Sequence, residues 1–561
     1  MEHEIGHSIR NALQALSIGK VDFSIEHPSD ISHGDYATNA ALIAAKLGGK
    51  NPHEVAKELA AYLSGHLPKG VAGVEVAGPG FINFRLSSAF FTERISAILE
   101  EDRQWGKGTS LSGKKVMLEY TDQNPFKEFH IGHLMSNAIG ESIARLVEYA
   151  GAEVRRANYQ GDVGIHVAKA IWGMMHLVEG ERDASAWGRA YPLGATAFED
   201  DPKAKEEITA LNKAIYERSD ENVNKLYDEG RAVSLEHFEE IYRKLGTKFD
   251  FYFFESDVAP IGAQIVRSNL DTVFEQSDGA IVFKGENYDP ALHTRVFLNS
   301  HGLPTYEAKE LGLAKKKEES WAFDLSLSIT GNEIREYFKV LQKAIGLVLP
   351  ELAGKILHIP HGMLRIPGGK MSSRKGSVIT GESLLTELEN AVLEKMAGRD
   401  LVSGEREDIA QAVAVSAIKF AILKQSAGKD IIFEKEQALS FEGDSGPYLQ
   451  YAHVRACSVL TKAHEAQVAP DTKGAKPEPG PLEKLLYRFP EVTKRAVAEY
   501  DPHYVTTYLT ELAGAFNSYY ANGKIVDMSE EMPYKVALVK AFEITMRNGL
   551  HLLGIRAPER M

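Results

Sequence analysis

One strand–helix–strand unit constrains the fold of this chain of 561 residues more than any other feature. Residues 115–120 (KVMLEY) have the composition of a buried strand, and a polar loop follows them. A helix is predicted from residue 131 to residue 150, where Gly151 ends it, and residues 153–157 form a second strand. Two strands that flank one helix make a βαβ unit, so we predict a parallel sheet of the Rossmann type.

The start of that helix carries the motif His130-Ile131-Gly132-His133. Two histidines three positions apart share one face of the first helical turn, where free N–H groups and the helix dipole attract phosphate. Gly132 has no side chain, so an adenine or a ribose can lie on the backbone. Imidazole donors at this point could stabilise charge during attack on an α-phosphate. The alternative is a pair of surface histidines with no ligand.

A second motif occupies residues 368–376 (GGKMSSRKG). Three cations and two hydroxyls lie on a loop that glycines flank, which is the composition of an anion clamp. Alone, this could be a solvated basic loop. Its cations are Lys370, Arg374 and Lys375.

Composition and charge exclude several classes of protein. The 78 acidic residues outnumber the 64 basic ones, which gives a net charge of −14 and argues against a protein that coats nucleic acid with a basic surface. The single cysteine, Cys457, excludes a disulfide framework and a zinc site of several thiolates. We therefore expect no structural zinc and no other bound metal. No signal peptide or membrane span is recognisable, so we expect a cytoplasmic protein that does not bind membranes.

The negative charge is concentrated in one segment. Residues 199–240 contain 13 acidic and 6 basic residues, whereas residues 411–561 contain 18 of each. Whole-chain charge is thus a poor guide to nucleic-acid binding. We expect any such binding to use local patches, with the acidic segment turned away from the nucleic acid.

Hydrophobic periodicity divides the chain into three regions and predicts an α/β multi-domain fold. The N-terminal α+β domain covers residues 1–106, with helices at 39–47 and 53–63 and strands at 74–76 and 81–84. The Rossmann-type domain covers residues 114–380, with further strands at 280–283 and 294–298 and a helix at 332–345. A helical insertion interrupts it at about residues 180–245. The C-terminal domain, residues 381–561, is predicted to be all α.

The two motifs occur in the order typical of class I aminoacyl-tRNA synthetases, and the chain resembles the arginyl-tRNA synthetases over nearly its whole length. Four further stretches carry the resemblance: residues 34–39 (GDYATN), 78–83 (GPGFIN), 444–455 (DSGPYLQYAHVR) and 557–561 (APERM).

The resemblance implies a reaction in two steps. Arginine attacks the α-phosphate of Mg²⁺-bound ATP, and the arginyl group then passes to the 2′-hydroxyl of the terminal adenosine of tRNA(Arg). The implied partners are ATP, arginine and tRNA(Arg), with Mg²⁺ entering only with ATP. The protein is expected to be a monomer and to need bound tRNA before it activates arginine.

The resemblance also assigns site residues. The implied catalytic residues are His130, His133 and Lys370. ATP binding is implied for Phe129, Ile131, Gly132, Met371, Ser372, Arg374 and Lys375, and arginine binding for Glu119, Asn124, His166, Tyr306 and Glu310. The C-terminal helices are implied to bind the anticodon, and the N-terminal domain the tRNA elbow. Residues implied to bind tRNA are Asn39, Tyr448, Gln450, Arg455 and Tyr519, with Tyr451, Phe516 and Tyr520 as further candidates for base stacking.

Four positions depart from the family's pattern. Ser373 replaces the usual second lysine of its motif, and Glu310 replaces the usual aspartate. His166 lies where glutamine is usual, and Ile334 lies where a polar residue usually helps to bind arginine. The last three departures all fall on the implied arginine pocket.

Simpler interpretations exist for several of these residues. Asn39 could be a helix N-cap, Glu119 and Glu310 could pair with surface lysines, and aromatic residues at helical spacing could be core. For the whole chain, the alternatives are a class I synthetase for lysine or glutamate, a small-molecule nucleotidyltransferase, and a tRNA-binding relative without catalysis. The long helical region after residue 380 argues against the second, and intact motifs against the third.

Overall fold

The N-terminal domain is an antiparallel sheet of four strands, in the order β1-β2-β4-β3, packed against helices. The computed structural model describes residues 1–176, 178, 180–367, 380–397, 403–473 and 478–561. The helices predicted at 39–47 and 53–63 are confirmed, and each end differs from the predicted one by one residue. At the start of the second helix, Asn51 accepts the His53 N–H and Pro52 occupies the first turn, where its missing N–H is not needed. The elements are α1 (Glu2–Ala15), β1 (Ile25–Glu26), β2 (Tyr36–Thr38), α2 (Ala40–Gly48), α3 (Pro52–Ser64), β3 (Val71–Ala77), β4 (Phe81–Leu86) and α4 (Ser88–Glu101).

The predicted βαβ unit forms the centre of a parallel sheet of five strands, in the order β12-β11-β5-β6-β7. Glu119 closes the first strand and pairs in register with Ala157 on the second. Because parallel strands end at the same edge, the loops that follow them converge there. The unit and its neighbours are β5 (Lys115–Glu119), α5 (Ile131–Tyr149), β6 (Glu153–Gln160), α6 (Ile165–His176), β7 (Phe251–Phe254), α10 (Glu255–Ser268), α11 (Tyr306–Ser320), β11 (Leu325–Gly331), α12 (Arg335–Val348) and β12 (Ile356–His361).

Two insertions interrupt the domain that contains this sheet. An antiparallel sheet precedes α11 and consists of β8 (Glu275–Ser277), β9 (Ala280–Lys284) and β10 (Thr294–Leu298). The helical insertion is confirmed as α7 (Ala184–Asp200), α8 (Pro202–Glu217) and α9 (Glu221–Leu245). The helix predicted at 332–345 begins later, because residues 332–334 form a 3₁₀ turn before α12.

The insertion supports the loop that follows β5. Phe126 of that loop is fully buried, and its ring meets the ring of Trp187 at a centroid distance of 5.3 Å. Its backbone N–H donates to the Ser234 hydroxyl at 3.0 Å. The insertion therefore holds the loop from one side while the sheet holds it from the other.

The C-terminal region is helical, as predicted, apart from a short parallel pairing of β13 (Leu364–Arg365) with β14 (Ile431–Ile432). Its large core is continuous with that of α5, so the two regions pack as one body. Its helices are α13 (Gly381–Lys395), α14 (Ser403–Leu423), α15 (Lys435–Ala438), α16 (Gly446–Glu465), α17 (Pro481–Leu486), α18 (Phe489–Glu499), α19 (His503–Ala521) and α20 (Met532–Leu552).

Candidate active site

The loop between β5 and α5 has unusual backbone geometry. Thr121, Asp122 and Phe126 have positive φ angles of 80°, 51° and 67°, a region that residues with side chains rarely adopt. Such residues cost about 1–3 kcal/mol each and persist only where the surroundings hold them. The loop is therefore held in a defined shape at the edge where the strands end.

Hydrogen bonds from neighbouring elements hold this shape. The Thr121 N–H donates to the Ser136 hydroxyl at 2.9 Å, and the Asn137 amide donates to the Thr121 hydroxyl at 3.0 Å. From β6, the Tyr159 N–H donates to the Asp122 carboxylate at 3.0 Å. Helix α5 and strand β6 thus fix the loop directly.

The two histidines of the motif cap α5 reciprocally. The Gly132 N–H donates to Nδ1 of His130 at 3.1 Å, and the His130 N–H donates to Nδ1 of His133 at 3.2 Å. The two rings stack with their centroids 3.5 Å apart, which confirms that they share one face. Because each Nδ1 accepts a hydrogen bond, the proton of each neutral ring lies on Nε2.

Both imidazoles are neutral at pH 7. Burial and the nearby Lys127 charge lower the pKa of His130 to about 4. Burial and the charge of His130 hold the pKa of His133 well below its usual value. The pair therefore offers two Nε2–H donors rather than two cations.

The residues next to the histidine pair are buried and closely packed. Phe129 and Ile131 are buried, and a Cβ added at Gly132 would lie 2.9 Å from the His130 ring. The Gly381 N–H donates to the Phe129 carbonyl at 2.6 Å, which ties the first residue of α13 to the motif. The remaining predicted residues of this site, Lys370, Met371, Ser372, Ser373, Arg374 and Lys375, lie outside the described residues.

A second group of charged side chains lies beside the carboxyl end of β5. Glu119 is 2% exposed and forms an ion pair with Lys317 of α11, which is equally buried. Glu310 lies two turns earlier on α11, close enough for the charges of Glu119 and Lys317 to act on it. Burial and repulsion by Glu119 raise the pKa of Glu310 and that of Asp122 well above the usual value.

A second buried ion pair lies near this group of charged side chains. Lys309 donates to Glu255 at 2.6 Å, and both side chains are buried. The Lys309 ammonium also lies 5.4 Å from the ring centroid of Tyr306, which is 66% exposed and is not a core residue. Carboxylates outnumber lysines in the acidic pocket, which comprises Glu119, Asp122, Glu255, Glu310, Lys309 and Lys317.

Asn124 and His166 both contact Gly161, in the turn between the end of β6 and the start of α6. The Gly161 N–H donates to Oδ1 of Asn124 at 2.8 Å, and the Asn124 NH₂ group has no acceptor among the described residues. His166 donates from Nε2 to the Gly161 carbonyl at 2.9 Å, and burial lowers its pKa to about 3. Ile334, at the end of the 3₁₀ turn, packs against the apolar core beneath α11.

Three charged residues of this candidate site were not predicted from the sequence: Lys127, Asp122 and Lys317. Lys127 lies three residues before the first histidine; burial lowers its pKa to about 8, and its charge acts on three site histidines. A cation so close to the motif is a signal that the sequence did contain. The sequence contains no such signal for Lys317, because α11 has lysines on several faces.

The C-terminal helices present a stacked cation on their surface. The Arg455 guanidinium lies between the rings of Tyr451 and Tyr520, at 4.8 and 5.0 Å from their centroids. Both tyrosines are exposed, so the sandwich of rings faces solvent. Arg455 also donates to the Asn517 side chain, whose amide in turn donates to the Tyr448 hydroxyl at 3.0 Å.

Two residues that the resemblance implied for tRNA binding, Gln450 and Phe516, are buried, which contradicts that assignment. Gln450 has no exposed surface, and its amide donates to the Arg556 carbonyl at 2.8 Å, so it fastens the C-terminal tail. Phe516 is likewise buried, stacked on Phe542 at 3.9 Å. Tyr519 is half-buried against the core. Asn39 holds the N-cap position of α2 but accepts from the Ser24 N–H at 2.9 Å instead of capping the helix.

Three family models match the chain in order. They describe an arginyl-tRNA synthetase N-terminal domain at residues 3–86, the catalytic domain of class I (R) tRNA synthetases at 94–435 and a DALR anticodon binding domain at 449–561. With a histidine pair at the strand ends of a parallel sheet, the chain has the architecture of a class I aminoacyl-tRNA synthetase. Within that class, it belongs to the arginyl-tRNA synthetase family.

Curated relatives agree over the full length. The chain is 31% identical to an arginine–tRNA ligase of Lactobacillus johnsonii, with 97% of this chain and 96% of the relative aligned. It is 30% identical to one of Clostridium perfringens, with 97% of each chain aligned. Among solved structures, Thermus thermophilus arginyl-tRNA synthetase superposes with a TM-score of 0.81 at 27% identity and full coverage of both chains.

Two further observations concern membranes and metals. In the part of the chain that the structure describes, every helix is too short or too polar to span a bilayer. The same residues contain no cluster of three or more histidine, cysteine or acidic side chains placed to hold a metal ion.

Proposed function

We propose that this chain is an arginine–tRNA ligase, which forms arginyl-adenylate from arginine and ATP with release of pyrophosphate. It then transfers the arginyl group to the 2′-hydroxyl of the terminal adenosine of tRNA(Arg) with release of AMP. The observation that carries this is that the acidic pocket and the histidine pair both follow β5 at the edge of the sheet where the parallel strands end. The carboxylates of the pocket can accept hydrogen bonds from a guanidinium, and the Nε2–H groups of the two histidines can donate to a phosphate. Family membership supports the same reaction.

In the activation step, the two histidines donate from Nε2 to oxygens of the triphosphate. The charge that develops on the α-phosphate in the transition state strengthens these hydrogen bonds, which lowers the barrier. Lys127 and Lys370 add positive charge beside the phosphates. Mg²⁺ enters with ATP as part of the substrate. No protein nucleophile is needed, since the arginine carboxylate itself attacks.

Arginine selection rests on planar, charge-assisted hydrogen bonds. A guanidinium has five N–H donors in a fixed plane, which suits several carboxylates at once better than an ammonium does. We assign Glu119 and Glu310 to binding of the guanidinium. We assign the Asn124 amide and His166, which both contact Gly161, to the entrance of the arginine pocket. Tyr306 is exposed at the start of α11 and would cover the bound side chain.

Arginine binding is expected to tighten as pH rises. Glu310 and Asp122 have raised pKa values in the free protein because of burial and of repulsion by Glu119, so they hold protons at acidic pH. A bound guanidinium favours their ionised forms and therefore releases protons. Titration calorimetry of arginine in buffers of different ionisation enthalpy measures this release. Binding without proton release across pH 5–8 would contradict the assignment.

For tRNA, we assign anticodon contacts to the Arg455 sandwich with Tyr451 and Tyr520, because unpaired bases stack on aromatic and guanidinium planes. Tyr448 and Tyr519 would line its border. Asn39 would meet the tRNA elbow through the amide NH₂ that its bond to Ser24 leaves available. We further propose a monomer that works in the cytoplasm.

Activation is expected to depend on tRNA. ATP–pyrophosphate exchange driven by arginine should be fast with tRNA(Arg) and nearly absent without it. The assay uses the full chain, radiolabelled pyrophosphate and purified tRNA, with a periodate-oxidised tRNA as control for transfer. Exchange that is equally fast without tRNA would refute the requirement but would leave the arginine specificity intact.

A further inference from the structure

Two tyrosine hydroxyls at the acidic pocket lack partners. The hydroxyl oxygens of Tyr159 and Tyr337 are shielded from solvent and have no hydrogen-bond partner within the described ranges of the chain. A buried hydroxyl without a partner costs about 1–3 kcal/mol. Because such groups are rare in native proteins, each requires an explanation, and a role in binding a ligand is one.

Both side chains lie at the same wall of the pocket. Tyr159 is near the carboxyl end of β6, two residues beyond Ala157, the partner of Glu119 in the sheet. Tyr337 is in the first turn of α12. Both pack against the apolar cluster that underlies α11.

Electrostatics place Glu310 close to both rings. Burial raises the pKa of Tyr159 and of Tyr337 well above its usual value, and the negative charge of Glu310 raises both further. Glu255 acts on both hydroxyls in the same direction, and Tyr337 acts on Tyr159. The two hydroxyls therefore border the carboxylates that we assign to the guanidinium.

Ile334 adds no polar group to this side of the pocket. Ile334 has only carbon atoms in its side chain, and it lies three residues before Tyr337 at the start of the same helical segment. Residues three apart share a face of a helix, so a tyrosine at 337 can supply a hydroxyl that position 334 does not.

We propose that Tyr159 and Tyr337 are specificity-determining residues for the guanidinium of arginine. Each hydroxyl accepts one guanidinium N–H and donates its own proton to a carboxylate of the pocket. This inference rests on the proposed function, since it concerns the substrate of that same site. In that bound state, the Tyr337 hydroxyl also orients the carboxylate of the longer Glu310 side chain.

The test removes only the hydroxyls. Tyr337→Phe and Tyr159→Phe are each expected to raise the KM for arginine about tenfold in tRNA-dependent pyrophosphate exchange, because each loses a hydrogen bond to a charged group. The double variant should raise it further. The kcat, and the KM values for ATP and tRNA, should stay within about twofold, since the lost interaction is equally strong in ground and transition states.

Tyr508→Phe is the matched control. Tyr508 is also buried, but its hydroxyl donates to the Leu485 carbonyl at 3.1 Å in the C-terminal core. This variant should leave the KM for arginine unchanged. An equal rise in the control, a parallel rise in the KM for ATP, or an unchanged KM for arginine in both site variants would each overturn the proposal. If the unmodified protein showed no exchange with arginine, the proposed function itself would fail.

Discussion

Replacing His133 with asparagine is expected to slow adenylate formation by about a hundredfold to a thousandfold, the usual cost of losing one preorganised donor to a developing negative charge. The asparagine Oδ1 can still accept the His130 N–H that Nδ1 of His133 accepts at 3.2 Å, so the cap of α5 survives. What disappears is the Nε2–H donor. Single-turnover formation of arginyl-adenylate in the presence of tRNA measures the chemical step, and arginine affinity should change little.

His133→Gln is the control for this variant. A glutamine amide nitrogen can reach the place of Nε2, so the donor is partly restored although the cap is weakened. We expect a loss of less than about tenfold, comparable with the modest value of one neutral hydrogen bond. If asparagine and glutamine variants were equally slow, or if the asparagine variant weakened arginine binding as much as the rate, His133 would not act through Nε2.

Glu119→Gln is expected to have two large effects at once. It removes a carboxylate from the arginine pocket, and it leaves the buried Lys317 ammonium without its ion-pair partner. Breaking a buried pair from one side costs about 3–5 kcal/mol, because the remaining charge is desolvated without compensation. The free energy of unfolding in urea should fall accordingly, and arginine binding should weaken at least tenfold.

A double variant separates the two effects. Lys317→Met combined with Glu119→Gln removes both charges and keeps a side chain of similar volume, so most of the stability should return. Arginine binding should not return, because a carboxylate is still missing. If the double variant regained arginine affinity, Glu119 would serve only to neutralise Lys317 and would not contact the substrate.

The parts that sequence predicted well are those determined by local pattern. The strand that ends at Glu119, the helix that begins at Ile131 and the insertion all follow from hydrophobic periodicity and turn residues. The facing pair of His130 and His133 was predicted from their spacing of three residues, and the structure forms it through a reciprocal cap between the N-cap residue and the third residue of the helix.

The parts that sequence missed depend on contacts between distant residues. The Glu119–Lys317 pair joins a strand to a helix far along the chain, and no spacing rule relates them. Gln450 was misassigned because the resemblance does not tell which face of α16 is buried. The positive φ angles of Thr121 and Asp122 were not predicted either: threonine rarely adopts that conformation, and aspartate, which adopts it more often, is common in loops with ordinary angles.

Aminoacylation of total tRNA with each of the twenty amino acids tests the central claim most directly. The full chain, ATP and Mg²⁺ are incubated with total tRNA and one labelled amino acid at a time, and the tRNA that becomes charged is identified by its anticodon. We predict charging by arginine alone, on tRNA(Arg), at the 2′-hydroxyl. Charging by lysine, glutamate or any other amino acid, or no charging by arginine, would contradict the account.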